Sequence, residues 1–372
     1  MQRSIMRAVD EHPLLEGQMI LSGALLNEKY GSVLNEIKKE KIKIAGEIYN
    51  LQESDVLSAR IAGLSCQLSG LVELIDKIKP DILVAPYDRE ESMTMALAGA
   101  YMHIPVAHIG AGDKTRVNVD GVVRHAVTKL SSIFFTATED SARRVEALGE
   151  EKWRIFNVGH AGLDRFQGIE EMSWEEIGAA LDLKLKDYDE PLLLFIKHPV
   201  SNEIEQAEFQ MQLSLEAIDE IDLPTVIIKP NSDPGRYGMV SVLDNYEFKS
   251  NHKVKIFENI EEKYFVNLLR KVSVLVGNSS MGVMEAPHFK IPVVNIGQRQ
   301  RDRKNAGNII FVGHDKEEVK QAVRKSIYDK DYQRKIKRLK NPYGTGDTGK
   351  KVAEILAKIK LDKRLIDKNI TF

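Results

Sequence analysis

Residues 274–300 read VLVGNSSMGVMEAPHFKIPVVNIGQRQ, from Val274 to Gln300. Val272, Val274, Leu275 and Val276 have the branching and length of a buried strand, which runs into Gly277-Asn278-Ser279-Ser280. The pattern then predicts a short helix from Met281 to about Phe289, a second strand over Pro292–Ile296 and a polar loop over Gly297–Asp302. A glycine-containing turn between strand and helix points unpaired backbone N–H groups, and here two hydroxyls, at whatever lies above the helix start. Such a place favours anions, phosphate above all. Glu285, one turn in, is within reach of a neighbouring ribose diol, and Arg299 or Arg301 can add a charge-assisted contact to the phosphates. The same letters also fit an ordinary N-cap, since Asn and Ser commonly precede helices. The rest of the chain decides between the two.

Downstream, a strand at Ile309–Val312 is followed by helices over Lys316–Tyr328, Tyr332–Leu339 and Thr348–Leu365. Upstream, strands at Leu192–Ile196, Thr225–Lys229 and Lys253–Phe257 alternate with helices at Glu203–Ile221, Tyr237–Phe248 and Glu261–Arg270. An earlier series has strands at Gly17–Leu21, Ile42–Ala45, Ile82–Ala85, Val106–Ile109, Ile133–Ala137 and Ile155–Val158. Its helices fall at Ser4–His12, Glu28–Lys39, Asp55–Ile78, Ser92–Met102, Gly121–Ser131 and Glu139–Leu148. Strands separated by helices mean βαβ units and a mostly parallel sheet. Gly159–Gly168 marks a junction, and Asn341–Asp347 a natural crossover. The expectation is an α/β protein of two doubly wound, Rossmann-like domains facing a central crevice. The first covers residues 1–162 and is completed by a returning helix at 346–372; the second covers 163–345. Ligands then bind where strands end, in the crevice. The chain opens on a helix where such a sheet usually opens on a strand, so a strand and its loop are expected to be missing from the N-terminus.

At 372 residues the chain is long enough for two cores. A net charge of −2 with 29% charged residues argues against a nucleic-acid binder. The single cysteine, Cys66, excludes a disulfide framework and a thiolate metal cage. No apolar run approaches membrane-spanning length and no signal peptide is visible, so a cytoplasmic protein is expected. The histidines have no metal-ligand spacing, and no metal is assigned. Walker loops, dinucleotide fingerprints and nucleophile elbows are missing from the sequence.

The polar residues at strand ends are the site candidates. Asp88 follows a strand and precedes Arg89, as a capping aspartate would. Asp113 and Asp120 share a long polar loop, with Arg124 and His125 one turn beyond. Carboxylates crowded in this way can supply a general base and a general acid if their pKa values are driven apart, although loop aspartates are also common turn formers. His198, between a strand and Pro199, can donate to a phosphate or act as an acid. Asn231 and Asp233 end another strand, and Ser279 and Ser280 end the opening one.

Lys197-His198-Pro199, Pro230-Asn231-Ser232-Asp233-Pro234-Gly235, Gly277-Asn278-Ser279-Ser280 with Glu285, and Asn295-Ile296-Gly297-Gln298-Arg299-Gln300 occur in that order. Their order and spacing resemble the hydrolysing UDP-N-acetylglucosamine 2-epimerases of the sialic acid pathway and its bacterial relatives. Asp88-Arg89, His108-Ile109 with Ala111-Gly112, and Asp120 with Arg124-His125 are similar to that family as well. The resemblance implies a fold of the glycosyltransferase B type and a UDP-sugar substrate. It places UDP on Asn231, Ser279, Ser280, Gly282, Glu285 and Arg299, and the sugar against Asp88, Asp113, Asp120 and His198. A base removes the proton on the sugar's second carbon while UDP leaves from the first, giving a glycal. Water then adds on the opposite face, releasing free N-acetylmannosamine. No cofactor is implied, and the family forms dimers or tetramers. A hydrolase of a modified bacterial UDP-sugar, a non-hydrolysing epimerase and an inert UDP-sugar binder remain as alternatives. The sequence departs from the family's pattern at three places. It lacks the initial strand and its Gly-x-Arg-x-acidic-Tyr loop; Tyr87 stands where most members have Gly; and Gly110 stands where most have Glu, with Asp113 three residues on.

Overall fold

The computed structural model of the protein describes residues 2–27, 34, 37–38, 42–52, 54, 56–114, 119–183, 190–247 and 253–371. Most of the helix expected at 28–39 lies outside the described residues. The chain divides into two compact units, Met1–Arg165 with Tyr343–Phe372, and Phe166–Pro342.

The first unit holds the strands β1 (Met19–Ser22), β2 (Ile44–Ile48), β3 (Leu83–Pro86), β4 (Val106–Ile109), β5 (Ile133–Thr136) and β6 (Ile155–Asn157). β1 and β2 form a parallel pair, and β3-β4-β5-β6 a parallel sheet in sequence order. All four residues of β4 and of β5 are buried, as strands covered by helices on both faces must be. The helix Thr348–Lys358 returns to this unit, where Val352 and Leu356 join Ile5, Ile109, Phe135 and Val158 in one core cluster. Asp164 fixes its start by accepting the N–H groups of Thr348 at 3.0 Å and Gly349 at 2.6 Å.

The second unit holds β7 (Leu192–Ile196), β8 (Thr225–Ile228), β9 (Val254–Phe257), β10 (Val272–Gly277), β11 (Val293–Ile296) and β12 (Ile309–Val312). They form one parallel sheet in the order β9-β8-β7-β10-β11-β12. Counted from the unit's first strand this is 3-2-1-4-5-6, the dinucleotide-fold order. Leu193, Phe195, Val274, Val276, Val294 and Ile296 meet helical Met211, Leu215, Leu243 and Val323 in its core.

Elements with strong periodicity fall where expected: β4, β7, β12 and the helix Lys316–Tyr328 keep their predicted bounds. Three expectations change. The helix expected over Thr348–Leu365 is two, Thr348–Lys358 and Lys363–Ile366. Ile359 is extended between them, and Asp362 caps the second. The helix expected from Met281 to Phe289 is an α-turn over Met281–Met284 and a 3-10 turn over Ala286–Phe289. Pro287 has no N–H to carry the α-helical ladder across that join. The helix Trp174–Leu181 was not anticipated, although its capping box is written in the sequence as Ser173 and Glu176. Among the described residues no helix is long and apolar enough to cross a membrane.

Candidate active site

In the second unit the chain runs from β7 outward to β9, then returns to start the other half of the sheet at β10. The carboxyl ends of β7 and β10 are therefore neighbours whose following chains leave in opposite directions, the place where such sheets open a ligand crevice. Two residues build that opening. Gly277 has φ +132, and a Cβ there would lie 2.0 Å from the Ile196 carbonyl oxygen. Only glycine lets the two strand ends approach so closely. Asn278 then laces them together. Its N–H donates to the Ile196 carbonyl at 3.1 Å. Its side chain accepts the His198 N–H at 2.7 Å and donates to the His198 carbonyl at 2.8 Å. Its own carbonyl receives Arg299 at 3.3 Å and Gln300 at 3.0 Å. One buried amide thus holds β7, β10 and the loop after β11.

His198 is fixed from the other side by Asn231, whose backbone N–H donates to Nδ1 at 3.1 Å. A ring nitrogen that accepts cannot carry the proton, so Nε2 does. Burial, helped by the nearby Arg299 guanidinium, pushes this imidazole down to about 3. At neutral pH His198 is therefore a neutral imidazole with its proton on Nε2. Asn231 spends its amide on Asp233 at 2.7 Å.

Ser279 and Ser280 lie half-buried at the turn, and Glu285 and Arg299 are buried beside it. The α-turn that follows is only four residues long. Its dipole is correspondingly small, so this helix end offers an anion less than the two hydroxyls and Arg299 can. Gly282 is buried in this turn. Its N–H donates to the Ser279 carbonyl at 3.1 Å, and a Cβ on it would meet Val293 at 2.8 Å. Gly282 is a spacer that lets the turn pack on β11.

Lys197, one residue before His198, is buried. Its ammonium donates to the Gln210 carbonyl at 2.6 Å and to Ser214 Oγ at 2.8 Å, both on the helix Ala207–Ile221. Burial pushes it down to about 7. It ties that helix to the end of β7 and is not exposed for phosphate binding.

In the first unit the candidates gather around Arg124, whose side chain is 3% exposed. It pairs with Asp88, lies 3.8 Å from Asp113 and donates to the Gly110 carbonyl at 3.0 Å. Asp88 and Asp113, from the ends of β3 and β4, are thus brought to one guanidinium. Asp120 is half-buried in the first turn of the same helix, Val119–Leu130, one turn before Arg124. His108, fully buried, has Nε2 2.8 Å from the Tyr87 carbonyl and Nδ1 3.1 Å from Thr128 Oγ1. Because a carbonyl only accepts, Nε2 carries the proton. Burial pushes this imidazole to about 3. It is a neutral clamp on the residue before Asp88. Among the described residues, no group of three or more His, Cys, Asp or Glu is placed to hold a metal ion.

The profile of the family described as UDP-N-acetylglucosamine 2-epimerase matches residues 7–357. The chain belongs to that family. It is 30% identical over 309 residues to the GDP/UDP-N,N'-diacetylbacillosamine 2-epimerase (hydrolyzing) of Campylobacter jejuni, covering 83% of this chain and 79% of the relative. It is 29% identical over 372 residues to the UDP-N,N'-diacetylbacillosamine 2-epimerase (hydrolyzing) of Legionella pneumophila, covering 99% and 95%. The solved UDP-GlcNAc 2-epimerase of Neisseria meningitidis, bound to UDP-GlcNAc, superposes with a TM-score of 0.72 at 21% identity, over 92% of this chain and all of that one. The fold is that of the family, α/β with parallel sheets and of the glycosyltransferase B type.

Three residues quoted above only inside motifs, without a role of their own, turn out to hold backbone beside the candidates. Asn278, Gln300 and His108 hold backbone where the candidate side chains stand. Asn278 had one local signal, a polar residue directly after a glycine at the end of an apolar strand. His108 had only its place in the His108-Ile109 motif, since a buried histidine inside a strand looks like any other half-apolar residue.

Proposed function

We propose that the chain is a hydrolysing 2-epimerase of UDP-sugars that carry a 2-acetamido group. The single observation that carries this reading is the β7–β10 switch point, where Asn278 bonds both sides of the His198 backbone, Arg299 bonds the Asn278 carbonyl and the half-buried Ser279 and Ser280 follow directly, a strand end of the kind that suits a diphosphate. In this reading UDP binds residues 163–345 through Asn231, Ser279, Ser280, Glu285 and Arg299, and the sugar meets Asp88, Asp113 and Asp120 of the domain formed by 1–162 and 346–372. A carboxylate takes the proton from the second carbon, the bond from the first carbon to the diphosphate oxygen breaks, and a glycal forms. Water then gives its hydroxyl to the first carbon, while a proton returns to the second from the opposite face. The weakly acidic C–H makes this slow unless the base is placed and the leaving diphosphate is stabilised. No electron is gained or lost, so the sequence of steps needs no redox cofactor.

UDP-N-acetylglucosamine, giving UDP and N-acetylmannosamine, is one substrate that fits. A UDP-sugar with a second acetamido group is the other, and it is favoured by the hydrolysing relatives at 29% and 30% identity, which are named for such a sugar. The reading also places the enzyme in the cytoplasm as a homo-oligomer. The test is incubation with each UDP-sugar in heavy water, following free UDP and the sugar products. Free sugar epimerised at the second carbon, carrying one deuterium there, is expected. An epimerised sugar still joined to UDP, or binding with no product from either substrate, would overturn the proposal.

A further inference from the structure

Two residues that depart from the family's pattern, Tyr87 and Gly110, occupy one place. Tyr87 follows β3 and has φ +63, a left-handed backbone that a bulky side chain rarely adopts. It is held there from both sides, its N–H donating to the Ile109 carbonyl at 2.7 Å and its carbonyl receiving His108 Nε2 at 2.8 Å. Gly110 follows β4 at φ +79, and a Cβ on it would lie 2.7 Å from Tyr87 Cδ1 and 3.1 Å from Cε1. The tyrosine ring therefore fills the volume into which a side chain at 110 would project. It also meets His160 edge-on, with ring centroids 5.6 Å apart, and packs against the buried cluster that includes Ile109 and Val158. Arg124, the partner of Asp88 and Asp113, donates to the carbonyl of Gly110 itself.

Tyr87 and Gly110 thus share one volume between two adjacent strand ends. We propose that Tyr87 is a specificity-determining residue of the sugar site, its aromatic ring standing where a side chain at 110 would otherwise project. A carboxylate at that place would favour hydroxyl groups and repel apolar substituents. An aromatic wall favours the methyl and planar amide of an acetamido group, over which it can stack, and gives a lone hydroxyl little in exchange for its lost water. The site therefore prefers a UDP-sugar with a second acetamido group to one with a hydroxyl at that carbon. The inference rests on the UDP-sugar reading above.

Binding constants separate the two ideas without requiring turnover. UDP, UDP-N-acetylglucosamine and a UDP-2,4-diacetamido sugar are titrated calorimetrically into the wild type, Tyr87→Gly and Tyr87→Gly/Gly110→Glu. The wild type is expected to bind the diacetamido sugar at least tenfold more tightly than UDP-N-acetylglucosamine. Both variants are expected to lose that ratio while their UDP affinity stays within twofold, and the double variant is expected to reverse it. A preference that survives in both variants with UDP affinity intact overturns the role of Tyr87. A wild type that binds none of the three ligands overturns the UDP-sugar reading instead. Gly110→Ala alone serves as a check on the geometry, because its Cβ displaces the ring. It is expected to lower the ratio in the presence of Tyr87 and to change nothing when added to Tyr87→Gly.

Discussion

At the scale of residues, side chains that hold the fold stand beside the candidate functional groups. Asn278, His108 and Arg124 bond backbone and carboxylates within the fold, whereas Ser279, Ser280 and Asp120 are the half-buried groups at strand and helix ends. Substitution separates the second set by ligand. The double change Ser279→Ala/Ser280→Ala removes hydrogen bonds to a charged group and is expected to weaken UDP binding by about 2–3 kcal/mol, measured by calorimetry. Unchanged affinity would remove both hydroxyls from the phosphate site. Asp120→Asn is expected to leave UDP affinity nearly as it was and to abolish release of UDP from the sugar nucleotide. Retained turnover would show that the base is another carboxylate, with Asp113 the next to test.

At the scale of elements, the site exists because β7 and β10 are adjacent in space and far apart in sequence. Their contact is so close that the Ile196 carbonyl occupies the position of a Gly277 side chain. Gly277→Ala should accordingly separate the strand ends and break the lacing by Asn278. The expected loss is at least ~3 kcal/mol of stability, read from the denaturant midpoint, together with loss of UDP binding. A stable variant with full UDP affinity would mean that the close approach is not what shapes the crevice. Lys197 works at the same scale. By donating to Gln210 and Ser214 it sets the helix Ala207–Ile221 against the strand that presents His198.

At the scale of the whole molecule, buried neutral histidines make stability depend on pH. His108 and His198 are pushed from the usual 6.5 to about 3 in the folded chain, chiefly by burial. The unfolded chain therefore binds more protons between those values, so this stability is fully present above about pH 6.5 and is lost as the pH falls toward 3. Each imidazole contributes a slope of up to about 1.4 kcal/mol per pH unit within that window. Urea midpoints measured from pH 7.5 down to 4.5 should fall steeply below 6.5, and His108→Asn should flatten the descent by about one proton. A slope unaffected by that change would mean that His108 titrates normally. Long-range ties complete the first unit. Arg154, almost wholly buried, donates to the carbonyls of Leu365 at 2.8 Å and Asp367 at 3.0 Å, so the last residues close a core begun at the first helix.

Local pattern was enough to read much of this. Apolar runs bounded by glycine or proline placed β4, β7 and β12 with their observed ends, and β4 and β7 are legible because a strand buried on both faces announces itself by composition alone. The parallel, doubly wound class followed from the alternation of strands and helices, and the motif at Gly277–Ser280 pointed to the end of a strand in the second unit. Pairing was a different matter. That Asn278 would bond both sides of His198, that Gly282 would face Val293, and that Tyr87 would lie across Gly110 depends on atoms brought together from distant parts of the chain. The same holds for the protonation of His108 and His198, which is set by burial and by the partner each nitrogen finds. Periodicity records which face of an element avoids water. It carries no record of which neighbour that face will meet, and only the folded sheet supplies one.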